Sequence, residues 1–198
     1  MFVPDVRRDL VPTVSVVGDD FCFPYLVDLA VKKKVGFSTK HIDVLDDNGA
    51  LLVQVDGGFW QFNKTRTMLH SLGFPIITMR RTKGIWMQQE WTVHRGESSD
   101  GSDLLYTVRK SHSFQLKTRL QVFLATNLTA QICDFRVIGS YISQSFKVYR
   151  GDTLMAEVKE RFTMGGRLGN ERFEARIYPG VDYAFIVSLL VILNEIDF

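Results

Sequence analysis

Apolar and polar residues alternate along much of this chain. Phe173, Ala175 and Ile177 stand opposite Arg172, Glu174 and Arg176. Leu154, Ala156, Val158 and Phe162 oppose Met155, Glu157, Lys159 and Arg161. Leu116, Leu120, Val122 and Leu124 oppose Gln115, Lys117, Arg119 and Gln121. Successive side chains of a strand point to opposite faces, so each run predicts a strand buried on one side and wet on the other. That is the pattern of antiparallel sheet. Turn signals separate the runs. Asn48-Gly49 tolerates positive φ and predicts a hairpin between Phe37–Leu45 and Ala50–Val55. Ser71–Gly73 and Gly151-Asp152 divide two further pairs. Many short strands joined by tight turns predict a barrel or a sandwich.

The alternation stops at Pro179-Gly180. The last residues read VDYAFIVSLLVILNEIDF, and from Val181 to Leu193 only Asp182 and Ser188 are polar. This run predicts a helix over 181–195 with Asp182 as its N-cap, where a carboxylate also suits the helix dipole. Glu195 and Asp197 oppose that dipole at the other end and predict fraying. Such a helix is about 22 Å long at ~1.5 Å per residue, whereas a bilayer core needs ~30 Å. Acids bracket the run, so a tail anchor is the weaker reading. A helix apolar on all sides must be buried in protein. Each large side chain gains roughly 1.5–3 kcal/mol on burial, before chain entropy is set against it. A closed barrel with this helix threaded through its centre satisfies both patterns.

The chain has 198 residues, 45% of them hydrophobic, which suits one domain with a sizeable core. Residues 1–20 carry Pro4, Pro12 and mixed charge without periodicity and are read as a loosely ordered leader, with one domain over 21–198. No apolar segment follows a basic start, so no secretory signal is expected. Cys22 and Cys133 are far apart and form neither a CxxC pair nor a disulfide framework. Reduced thiols are expected, with Cys133 on the face of Phe135 and Val137 and so shielded in the wall. The net charge is +2, too small to announce a nucleic-acid binder.

Several segments together resemble the LURP-one-related family of plants, proteins similar to the tubby C-terminal domain and to the phospholipid scramblases. They are DLLYTVRKS (103–111), QLKTRLQVFL (115–124), CDFRVIGSY (133–141), YPGVDYAFIVSLLVIL (178–193) and the earlier FCFPYLVDLAVKKK (21–34). The resemblance implies a twelve-stranded antiparallel barrel around the C-terminal helix, in agreement with the periodicity. It also implies a role in plant defence. Two departures weigh against scramblase chemistry. The lipidation cysteines are missing, and the segment before the helix, MGGRLGNERFEARIYPG, interleaves Glu171 and Glu174 with arginines, a poor oxygen cage for calcium.

No HExxH, GxSxG or phosphate loop with GK[ST] is present. GGRLGN (165–170) reads as a hairpin loop. His41, His70, His94 and His112 fall in separate strand-like segments, so no metal site is signalled. No nucleophile is paired with a base. The sequence therefore predicts a protein that is not an enzyme and has no cofactor.

Charge is more informative. From Gly58 to Gly96 there are six Lys or Arg against the single acid Glu90, and from Leu104 to Cys133 four against none. Tubby domains bind phosphoinositide headgroups with basic residues on the barrel exterior. The resemblance thus makes Arg80, Arg81, Lys83, Arg109, Lys117 and Arg119 the candidate lipid-binding residues. Lys117 and Arg119 are expected to face outward, because Leu116, Leu120 and Val122 claim the inside; the other four share the acid-poor stretch. The expected partner is an anionic membrane surface, a phosphoinositide or a protein, bound weakly by a monomer. The expected location is the cytoplasm, the periphery of the plasma membrane or the nucleus. The alternatives are a protein-interaction barrel without lipid affinity and a scramblase-like membrane protein.

Overall fold

The computed structural model describes residues 13–35, 39–58, 65–83, 89–111, 119–140, 145–161 and 170–196. Twelve strands follow one another: β1 (Val27–Val35), β2 (Thr39–Leu45), β3 (Leu51–Gly58), β4 (Thr65–His70), β5 (Pro75–Lys83) and β6 (Gln89–Arg95), then β7 (Leu104–Lys110), β8 (Arg119–Leu124), β9 (Phe135–Ser140), β10 (Ser145–Arg150), β11 (Thr153–Glu160) and β12 (Asn170–Ile177). Each pairs antiparallel with its sequence neighbours. Pairing of β1 with β12, Val27 opposite Ile177, closes the barrel. Closure leaves no sheet edge exposed.

Where the side chains are described the predicted faces hold on β12, but β11 departs from them. Leu154 is half-buried and Met155, expected outside, is buried, because the register against β10 shifts between Val148 and Tyr149. Leu124 at the end of β8 is also only half-buried. Phe173, Ala175 and Ile177 are buried, as are Leu120, Val122, Ala156 and Val158. Leu116 and Phe162 lie outside the described residues. The turns follow their glycines: Gly49, Gly73 and Gly151 all have positive φ. Asn48-Gly49 sits in a wider turn than a two-residue hairpin. Asp46 accepts from the Gly49 amide through its carbonyl (3.1 Å) and from Ala50 through its carboxylate (2.7 Å).

The helix α1 (Tyr183–Ile196) fills the barrel, with Tyr183 through Ile192 buried without interruption. Ser188, the polar residue within that run, is matched from the wall. Ser188 Oγ donates to the Phe185 carbonyl and is hydrogen-bonded to the hydroxyl of Tyr106 on β7. Burial drives the Tyr106 phenol far above its usual range, so it stays neutral there. Phe185 also packs edge-on against Tyr106 and tilted against Phe135, with centroids 5.2 and 4.9 Å apart.

Asp182 caps the helix as the sequence predicts: Oδ1 accepts from the Phe185 amide at 2.9 Å. Its second oxygen does something no local pattern foretold. Oδ2 accepts from the amides of Val16, Val17 and Gly18 at 3.1, 2.7 and 3.2 Å. Val14 and Cys22 pair with Val181 and Asp182, and Val17 is buried. Residues 13–20 therefore plug the barrel mouth, and no break separates them from residues 21–26. Residues 1–12 of the expected leader lie outside the described residues.

Two further expectations change. Glu195 does not fray; it is buried inside the last helical turn and ion-paired with Arg66 of β4. Cys133 is half-buried in the turn before β9, ahead of the strand whose inner face it was expected to share. Both cysteines are free thiols.

Candidate binding surfaces

Antiparallel order sorts the connections between two rims. Odd strands run one way and even strands the other. The approach to β1, the turns after even strands and the β12–α1 connection form one rim, called upper here. The lower rim is where odd strands end and α1 finishes.

The loop segments of the upper rim lack cations, although Arg95, Arg136 and Arg150 stand exposed at the strand ends beside them. The upper segments 13–26, 46–50, 71–74, 96–103, 125–134, 151–152 and 178–182 contain no lysine or arginine. They carry Asp19, Asp20, Asp47, Glu97, Asp100 and Asp152 among their acids. At the lower rim the strand ends carry Lys34 on β1, Lys83 on β5, Lys110 on β7 and Arg119 on β8, while Lys33 is buried inside the barrel end. Sequence reading found the acid-poor stretches without the rim that unites them.

Of the six candidates, Arg80, Arg81, Lys83, Arg109 and Arg119 lie on β5, β7 and β8, in the lower half of one sector of the wall. Lys117 lies outside the described residues. The three candidates with described side chains differ in their surroundings. Arg81 follows the inward parity of Ile77 and Met79 and stands opposite the buried Trp91. Arg80 points outward, but its guanidinium donates to the carbonyls of Ser98 and Glu97, the latter at 3.0 Å, and holds segment 96–103 against the wall. Arg109 donates to Glu90 Oε1 at 3.0 Å and lies over the Phe123 ring, 4.9 Å from its centroid. Lys83 and Arg119 are placed by backbone register alone, opposite Gln89 and Ile138.

Sequence reading missed a second group. On the outer wall an open groove of about 360 Å³ runs over β1 and β12, lined by Lys32, Arg161 and Arg172 together with Asp28, Asp47 and Glu174. Lys32 faces Arg172 directly across the strand pair. Like charges so opposed repel one another. The Arg161 amide donates to the Arg172 carbonyl at 2.7 Å, bringing a third cation alongside. Arg161 pairs with Glu174, and Arg176 grips Asp28 through two bonds of 2.9 and 3.0 Å. The Arg176 hydrogen bond holds the Asp28 carboxyl below its usual range. The Lys32–Lys34 run hinted at this cluster, but only barrel closure shows that Arg172 stands beside it.

Inside the lower end, Arg66 Nη2 and Nε reach Glu195 Oε1 at 2.6 and 3.2 Å. Lys33 and Asn194 help line an adjoining cavity of about 10 Å³, room for one water at most. Among the described residues, no three His, Cys, Asp or Glu side chains converge to hold a metal ion.

The LURP-one-related family model matches residues 27–194, the whole barrel and nearly all of its helix. The chain belongs to the LURP-one-related family. It is 45% identical to the Arabidopsis thaliana protein LURP-one-related 14 over 93% of this chain and 91% of that one. LURP-one-related 15 of the same plant is 40% identical over 92% and 85%. A crystal structure of an Arabidopsis thaliana protein, 34% identical, superposes with a TM-score of 0.71 over 93% of this chain and 99% of its own. No helix among the described residues of this LURP-one-related barrel is long and apolar enough to cross a membrane.

Proposed function

We propose that this LURP-one-related barrel is a non-catalytic binding module that docks weakly, lower rim first, on an anionic membrane surface. The observation that supports this reading is the row of cations at the lower strand ends, against upper loop segments rich in carboxylates, where Arg136 is paired with Asp152 and Arg95 donates to the Val17 carbonyl. Near an anionic leaflet each basic residue contributes about 1 kcal/mol, so a handful gives weak binding that salt suppresses. The Lys32–Arg172 pair adds a place for a phosphorylated headgroup, because an anion there relieves the repulsion between opposed cations.

Vesicle sedimentation tests this, with phosphatidylcholine alone and with added phosphatidylinositol bisphosphate, at low and high salt. The wild type is expected to sediment only with the anionic vesicles and only at low salt. Replacing Lys83 and Arg119, or Lys32 and Arg172, by Glu is expected to weaken binding about a hundredfold, as two attractions become repulsions. A wild type that ignores anionic vesicles at low salt ends the lipid reading and leaves a protein-interaction barrel.

A further inference from the structure

The exposed large apolar residues are Tyr25, Leu26, Leu72, Phe74, Leu128 and Ile132. These are the ones among the described residues, and all six fall in upper-rim segments; most of the lower-rim connections lie outside the described residues. They form three pairs, at the approach to β1, between β4 and β5, and between β8 and β9. Those positions are about a third of the barrel circumference apart. Leu128 is 92% exposed and Leu72 74%. Exposed apolar residues scattered singly need no account, but three pairs fixed around one barrel mouth form a candidate contact surface.

Each pair is held in place. Leu128 and Ile132 project from a turn in which Asn127 donates to the Ile132 carbonyl (2.8 Å) and to Asp134 (2.9 Å), and accepts from the Ala130 amide (3.1 Å). Asp134 also accepts from the Leu124 amide at 2.9 Å. Leu72 and Phe74 flank Gly73 in a hairpin closed by bonds between His70 and Phe74 (2.8 Å) and between Gly73 and His70 (2.7 Å). Tyr25 stacks on Phe23, which stacks on Tyr183 at the helix start. Fixed contact points lose little freedom on binding, which favours association.

We infer that the upper rim is a docking surface for a polypeptide partner whose contact face carries apolar residues among lysines and arginines. Charge complementarity selects this occupant. The apolar pairs are interleaved with Asp19, Asp20, Asp47, Glu97, Asp100 and Asp152; of the cations bordering them, Arg95 donates to the Val17 carbonyl, Arg136 pairs with Asp152 and Arg150 lies over the Phe135 ring, so acids outnumber them. Those carboxylates repel an anionic leaflet and match a basic face. This surface lies at the opposite end of the barrel from the proposed lipid contact, so the two readings stand or fall separately.

The test titrates isotope-labelled protein with an amphipathic peptide of leucine and lysine, and with its leucine–glutamate counterpart. Backbone amide shifts report the site. The leucine–lysine peptide is expected to saturate amides of 71–74, 97–103 and 126–133, and the glutamate peptide to leave them unmoved. Leu72→Ser with Leu128→Ser is expected to weaken binding at least tenfold with the strand spectrum unchanged, while Lys83→Glu leaves it unchanged. Shifts scattered over the whole wall, or insensitivity to the two serines, overturn the inference. So does binding to neutral phosphatidylcholine vesicles that the serines abolish, which makes the rim a membrane-inserting surface. Self-association that the serines abolish makes the occupant a second copy, and likewise overturns it.

Discussion

A methyl group at Gly57 on β3 would strike the Arg66 side chain: a Cβ there would lie 2.7 Å from Cζ and closer still to Nη1. The missing side chain makes room for the guanidinium, and the guanidinium holds the end of the helix through Glu195. Gly57→Ala is expected to cost about 1–3 kcal/mol as an overpacked core. Glu195→Ala strands a buried cation and is expected to cost about 3–5 kcal/mol. Urea denaturation measures both; a Gly57→Ala protein as stable as wild type would show that Arg66 moves aside freely.

Asp182 ties the N-terminal segment to the helix start, and its loss leaves four amides without their acceptor. At about 1–3 kcal/mol for each unsatisfied buried group, Asp182→Ala is expected to cost at least ~3 kcal/mol, because water reaches some of them. Hydrogen exchange should quicken first at Val16, Val17 and Gly18. Equal loss of protection across all twelve strands would mean that the segment is not a separate plug.

His94 is buried beneath segment 96–103, with Nδ1 unpartnered among the described residues. Burial, and then Arg80, push its imidazole below the usual value of 6.5; Asp103 and Asp100 pull the other way. The folded state therefore binds fewer protons than the unfolded one below about pH 6.5. Stability should be complete above that pH and decline as pH falls toward the folded value. A wild type whose denaturation midpoint drops between pH 7 and 5.5 more than that of His94→Gln is the expected result. Parallel curves for the two proteins would exclude the histidine.

Burial, with Asp182 and Asp19 adding to it, pushes the Cys22 thiol up to about 11 from 9.0. Iodoacetamide near neutral pH should then alkylate Cys22 about a hundredfold more slowly in the folded protein than in the denatured chain, since only the thiolate reacts. Mass spectrometry of timed digests reads the rate. Equal rates in the two states would show that the mouth of the barrel is open.

The sequence by itself determined what neighbours a few residues apart can express. Alternation fixed the inner face of β12, glycines placed the turns, Asp182 announced the cap, and the length of the apolar run sent the helix into a core; on β11 a register shift buried Met155 against the alternation. Tertiary structure alone decided what spans the chain. Arg66 and Glu195 lie 129 residues apart and Val17 and Asp182 lie 165 apart. Nothing local to either partner encodes such meetings, which depend on strand register and on closure of β1 against β12. The candidate site shows the same limit. Composition found the cations near Arg80 and Arg109, but only packing showed Arg80 engaged with two carbonyls, Arg81 on the inner face and Arg109 paired with Glu90. Charge along a sequence is additive, whereas its availability at a surface depends on which distant backbone and side chains have already claimed it.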